Sequence, residues 1–121
     1  MHETPMNFKT KITKDVTLVY SDLMELCQGG PEVGDVTIDN VKIQGRYGGP
    51  VLFDEKYIYI PVYERSFFSS GFKLARVKKT DKSIQIFGKI KNLIYLSNIE
   101  DNKIYFFEDV NRNKKDYYDL G

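Results

Sequence analysis

A chain of 121 residues with 41% hydrophobic and 29% charged side chains has the size and composition of one globular domain, too short for two independent cores and too apolar to stay disordered. A single histidine, His2, and a single cysteine, Cys27, exclude internal disulfides, Ser–His or Cys–His nucleophile pairs and the common zinc sites. The formal net charge of +1 hides a division: Asp15 to Val41 holds six carboxylates and no Lys or Arg, whereas Arg65 to Lys91 holds eight basic residues against Asp81 alone. Asymmetry of this kind bears on partners more than on fold.

Residues 1–7 have neither a basic start nor an apolar stretch, and nowhere do eighteen apolar residues run together, so a flexible end and a cytoplasmic location are expected. Phe8–Lys14 and Val16–Tyr20 read as one or two strands. A short helix is predicted over residues 22–28. Asp22 and Glu25 have capping-box spacing, Leu23, Leu26 and Cys27 make an apolar stripe, and Gly29-Gly30-Pro31 stops it. Val36–Ile43 reads as a strand or a tight hairpin about Asp39-Asn40.

From residue 50 to 109 about six strands follow in a meander. Three stretches share one grammar, a strand, an acidic turn closing on Lys, and a second β-rich strand: Val51–Ile60, Ala75–Ile86 and Tyr95–Phe107. Tyr57–Tyr63 alternates Ile58, Ile60 and Val62 against Tyr57, Tyr59 and Tyr63, with Pro61 pointing to an edge strand or a bulge. Ser83–Lys91 alternates as a half-buried strand. Residues 111–121 are polar and aperiodic, a mobile tail or a segment laid along the surface. The expected fold is mainly β, a single domain over 1–121, built as an antiparallel meander that forms a curled sheet or a small sandwich with one short helix.

The chemistry available is narrow. His2 reads as a frayed terminal residue and Cys27 as a small buried hydrophobe. The glycine-containing stretches 28–34 and 44–50 match no phosphate-binding fingerprint. No cofactor and no metal are expected, and a carboxylate pair doing acid–base work would need a cleft that sequence does not display. What remains is recognition. Asp22, Glu25, Glu32, Asp35 and Asp39 could steer a basic partner, with Tyr57, Tyr59 and Tyr63 as anchors if they face solvent, or as a second core if they are covered. The bland alternative for the acids is a solvated face. Arg65, Lys73, Arg76, Lys78, Lys79, Lys82, Lys89 and Lys91, interleaved with Phe67, Phe68, Phe72 and Phe87, allow a nucleic-acid reading, against the plainer one of lysines guarding strand edges. Complementary patches would also let two copies pair as a homodimer.

Tyr47–Phe53, Gly71–Arg76 and Ile99–Asp109 lie in a small β-rich chain with polarised charge and no catalytic apparatus. In this the chain resembles an immunity protein of bacterial polymorphic-toxin systems, such as those of contact-dependent growth inhibition. The resemblance implies a non-enzymatic protein. It would neutralise one cognate toxin, often a nuclease, by covering its active site or an adjacent surface.

Overall fold

Runs of β-branched and aromatic residues separated by Asp, Asn and Gly favour a pleated, half-buried backbone over a helix. The computed structural model describes residues 10–12, 17–25, 32–65, 70–109 and 111–120. Its strands are β1 (Thr10–Ile12), β2 (Thr17–Glu25), β3 (Glu32–Ile38), β4 (Val41–Tyr47), β5 (Leu52–Phe53), β6 (Tyr57–Arg65), β7 (Ser70–Lys78), β8 (Ile84–Lys91), β9 (Tyr95–Glu100), β10 (Lys103–Phe107) and β11 (Lys115–Asp119). Eight of them form one sheet in the order β1-β2-β3-β4-β6-β7-β8, with β5 beside β6, and three form a second sheet in the order β11-β10-β9. Among the described residues no helix is long and apolar enough to cross a membrane.

All three predicted hairpins form, as β5–β6, β7–β8 and β9–β10. The tight hairpin about Asp39-Asn40 forms too. Both turn residues have positive φ, 50° and 69°, the geometry whose twist matches that of the flanking strands and which Asp and Asn tolerate. Asp101-Asn102 repeats it between β9 and β10, at 52° and 63°.

The β6–β7 pair is the centre of the molecule, with continuous register from Tyr57↔Lys78 to Arg65↔Ser70. Strand alternation sends its side chains into two different cores. On one face Ile58, Ile60, Val62, Ala75 and Val77 meet Leu18, Tyr20, Val36, Ile38, Ile43 and Tyr47 from β2, β3 and β4. On the other, Tyr59, Phe72 and Leu74 meet Ile94, Leu96, Ile104 and Phe106, which belong to the second sheet and the segment leading into it. Each large side chain so enclosed contributes roughly 2–3 kcal/mol of transfer free energy. The second sheet shares no ladder with the first, so this burial is the main thing that holds it in place.

The first sheet turns a corner at β4. Gly45 has φ +119°, a conformation closed to most side chains, and just beyond it β4 pairs with β6 only at Arg46↔Tyr63 and Tyr47↔Val62. The bend folds β2–β4 over the β6–β7 face and encloses the first core. Tyr20 tightens it by donating its hydroxyl to the Gly48 carbonyl, and Lys82 reaches Asp39 at 3.7 Å. Burial raises the Tyr20 hydroxyl pKa, and that of Tyr47, whose hydroxyl donates to the Gln44 carbonyl, is pushed up to about 12 by the same cause. The sheet curls without closing, because β1 and β8 do not pair.

Three expectations are corrected. The helix over 22–28 is absent where it can be seen: residues 22–25 continue β2, with a bulge against β3 between Ser21 and Met24 and Asp22 at φ +51°. Leu26, Cys27 and Gln28 lie outside the described residues, as do His2, Phe67 and Phe68. A seven-residue helix nucleates poorly, whereas extending β2 provides ladder hydrogen bonds to β3 at once. Pro61 marks neither an edge nor a bulge in the β6–β7 ladder. It sits in the seam between β4 and β5, where β6 needs no donor, and its carbonyl accepts from Gly48 N–H at 2.9 Å. The strands of residues 50–109 divide between two sheets and do not form one continuous meander.

The final segment, read as tail or surface strap, is an edge strand of the second sheet. Its anchors are specific. Tyr118 stacks on Phe106 with ring centroids 5.0 Å apart and packs against Gly88, where any side chain would collide with its ring. Leu120 accepts from Arg76 at 3.2 Å, and Lys91 bridges Glu108 and Asp116 at 3.7 and 3.6 Å.

Candidate functional site

The acidic residues separate into two groups once folded. Asp35 is largely buried between Lys42 at 3.5 Å and Arg46 at 3.6 Å, and Asp39 is a turn residue that accepts from Thr17 N–H at 2.9 Å and pairs with Lys82. Both are occupied in holding strands together. Asp22, Glu25 and Glu32 gather instead at the far end of the β2–β3 hairpin, and no described cation pairs with any of them. Arg46 contributes only to the bulge backbone there, donating to the Asp22 carbonyl at 3.1 Å.

Register places Glu25 directly across from Glu32 and Met24 across from Val33. Like charges facing each other across an antiparallel pair destabilise it by a few tenths of a kcal/mol. Beside them the bulge presents Leu23 at 39% exposure and Met24 at 50%. An apolar centre rimmed by carboxylates has the anatomy of a protein interface, Met being enriched in such centres. Sequence reading missed Leu23 and Met24 because it assigned them to a helix; the signal was there in the alternation of Thr17–Ser21, which runs straight into them.

The tyrosine stripe faces inward. Tyr59 is buried in the second core, and Tyr57 and Tyr63 are half-buried against it. Of the two alternatives weighed for these residues, the covered one describes their position, with a sheet and not a helix as the cover.

The basic residues of β6–β8 are largely engaged within the fold. Lys73 pairs with Glu64 at 3.2 Å, Lys82 with Asp39, and Lys91 with Glu108 and Asp116. Arg76 is stacked between the rings of Tyr57 and Phe87 at 4.4 and 5.0 Å and donates to Gln85 at 2.7 Å. Lys79 is buried, with its ammonium 5.5 Å from the Phe53 ring. Arg65, Lys78 and Lys89 are exposed, spaced along three strands.

A polar cleft of 420 Å³ opens beside Tyr57 and is lined by Asp54, Lys56, Tyr59, Arg76 and Asn102. Two carboxylates line it, Asp54 and Glu55, and Asp54 is already committed. Asp54 accepts from the backbone N–H of Lys56 and Tyr57 at 2.9 and 2.8 Å and from the Tyr59 hydroxyl at 2.7 Å. Burial raises its pKa, but these hydrogen bonds and the nearby charge of Lys79 outweigh that and hold it below the ordinary value. The Tyr59 hydroxyl moves the opposite way, raised by burial and by its bond to Asp54. A carboxylate so saturated is a poor general base. Among the described residues no group of three or more His, Cys, Asp or Glu side chains is placed to hold a metal ion. Comparison with protein families, curated proteins and solved structures finds no match to this chain.

Proposed function

We propose that this chain is a non-enzymatic binding protein of the immunity kind, which neutralises one protein partner by docking the Asp22–Glu25 end of β2 and Glu32 of β3 against a basic surface. A cognate toxin, such as a nuclease with a cationic active site, is the partner of that chemistry. The observation that carries the reading is the Glu25–Glu32 opposition, which no described cation relieves, beside exposed Leu23 and Met24. It is a local cost to the fold that a cationic partner would turn into a gain, and breaches of local rules concentrate at functional sites.

The test begins with co-purification of the tagged chain from its native lysate at low salt, with and without nuclease treatment. A stoichiometric protein that survives digestion is the expected result. Glu25→Lys with Glu32→Lys should then slow association with that partner by at least about 10-fold at low salt, and by much less at high salt, because steering by exposed charges is screened. Glu32→Lys alone should weaken binding while leaving stability equal or higher by a few tenths of a kcal/mol, since it turns a repulsive cross-strand pair into an attractive one. Association at the wild-type rate in low salt would remove the acidic end from the interface.

A further inference from the structure

The outward face of the second sheet carries an organised surface of its own. Alternation turns Ile104 and Phe106 into the second core and leaves Tyr105 and Phe107 pointing away from it. Register then sets Tyr105 beside Tyr117, and Phe107 between Tyr95 and Lys115. The Tyr105 and Tyr117 rings lie 5.7 Å apart, and Tyr117 is 47% exposed. Cations stand over this aromatic row: Lys115 at 5.1 Å from the Tyr105 ring, and Arg112 at 5.1 Å from the Tyr95 ring.

Charge on the face is polarised. At the Arg112–Lys115 end the neighbouring acids are occupied, Glu108 by Lys91 and Asp109 by the backbone N–H groups of Asn113 and Lys114. Glu100 and Asp119 lie at the opposite end, both registered with Lys103. The rings therefore adjoin a margin whose cations, among the described residues, have tyrosine rings and the Tyr95 hydroxyl as partners and no carboxylate.

We propose that this face binds single-stranded nucleic acid, with bases stacking on Tyr105, Tyr117, Phe107 and Tyr95 and with Arg112 and Lys115 meeting phosphates. An open sheet bearing several rings accepts bases without regard to sequence, and flexible cations at its margin can exchange a ring for a phosphate. A duplex hides its base faces and has little to offer such a surface. The inference concerns a different sheet from the acidic end of β2–β3 and does not depend on the protein-binding reading.

The experiment is fluorescence anisotropy with labelled oligouridine and oligothymidine of about twelve nucleotides, beside a duplex of the same length, from low to physiological salt. Single strands should bind and the duplex should not. Tyr105→Ala with Tyr117→Ala should lower affinity at least about 10-fold, while Tyr105→Phe with Tyr117→Phe retains it. Arg112→Gln with Lys115→Gln should flatten the salt slope by about 1.4 logarithmic units, two phosphate contacts' worth on a single strand. Absence of binding at low salt, equal binding of the duplex, or wild-type affinity in the double-alanine variant overturns the proposal. If that variant does not fold, an unchanged salt slope in the Arg112/Lys115 variant overturns it equally. A protein partner that covers Tyr105 in a hydrogen-exchange footprint, with no oligonucleotide bound, assigns the face to that protein instead.

Discussion

Replacing Phe106 by alanine is expected to remove about 3–5 kcal/mol of folding stability, the range for a large aromatic deleted from a closed core. Phe106 is fully buried, stacks on Tyr118, and belongs to the cluster through which the second sheet meets Tyr59, Phe72 and Leu74. No backbone ladder joins the two sheets, and beyond the Arg76–Leu120 hydrogen bond and the Lys91 ion pairs their contact rests on side-chain packing, which the cavity would weaken. Urea denaturation measures the loss. Tyr117→Ala is the paired control, since Tyr117 lies on the outer face and its removal should cost under about 1 kcal/mol. Similar losses for the two variants would mean that the second sheet is not seated as described.

Asp54→Ala is expected to cost about 1–3 kcal/mol, because it strands a buried tyrosine hydroxyl and two backbone N–H groups that shared one carboxylate. The effect has a pH signature. The folded-state pKa of Asp54 lies below its unfolded value despite the opposing effect of burial, because the bonds from Tyr59, Tyr57 and Lys56 and the charge of Lys79 prevail. Its contribution is therefore complete above the ordinary carboxylate pKa of about 4 and is lost as pH falls through the lower folded value. Comparing the wild-type chain with Asp54→Asn, the stability gap should be widest near neutrality and shrink in acid. A gap of constant size down to pH about 2 would show that the charge on Asp54 contributes nothing. Asp81 is shifted in the same direction, chiefly by the backbone N–H and side chain of Ser83, so both chains share a background acid dependence that the comparison cancels.

Much of the local architecture was legible. Asp-Asn pairs and acidic turns between β-branched runs marked four hairpins, because a two-residue turn needs residues that tolerate positive φ and the strands beside them need alternation. Less legible were the elements whose state depends on a distant partner. Asp22–Glu25 satisfies helix-start rules and strand rules about equally, and pairing with β3 decided between them. Residues 115–119 look polar and aperiodic, yet Asp116-Tyr117-Tyr118-Asp119 alternates in and out once β10 lies alongside. Pro61 suggested an edge because sequence cannot reveal a gap between two neighbouring strands.

The candidate sites follow the same division. By itself the sequence determined an antiparallel β domain, the segregation of acid from base, and the scarcity of histidine and cysteine, because composition, alternation and turn chemistry are local properties. Tertiary structure alone decided which charges were left over. Asp35, Asp39, Lys73, Lys82 and Lys91 found partners within the fold. Among the described residues Asp22, Glu25 and Glu32 did not, and the tyrosines of β6 went under a sheet while Tyr95, Tyr105 and Tyr117 stayed outside and Tyr118 turned inward onto Phe106. The reason is physical: which face of a strand is buried, and which charge meets its opposite, depends on register and layer contacts between residues far apart in the chain.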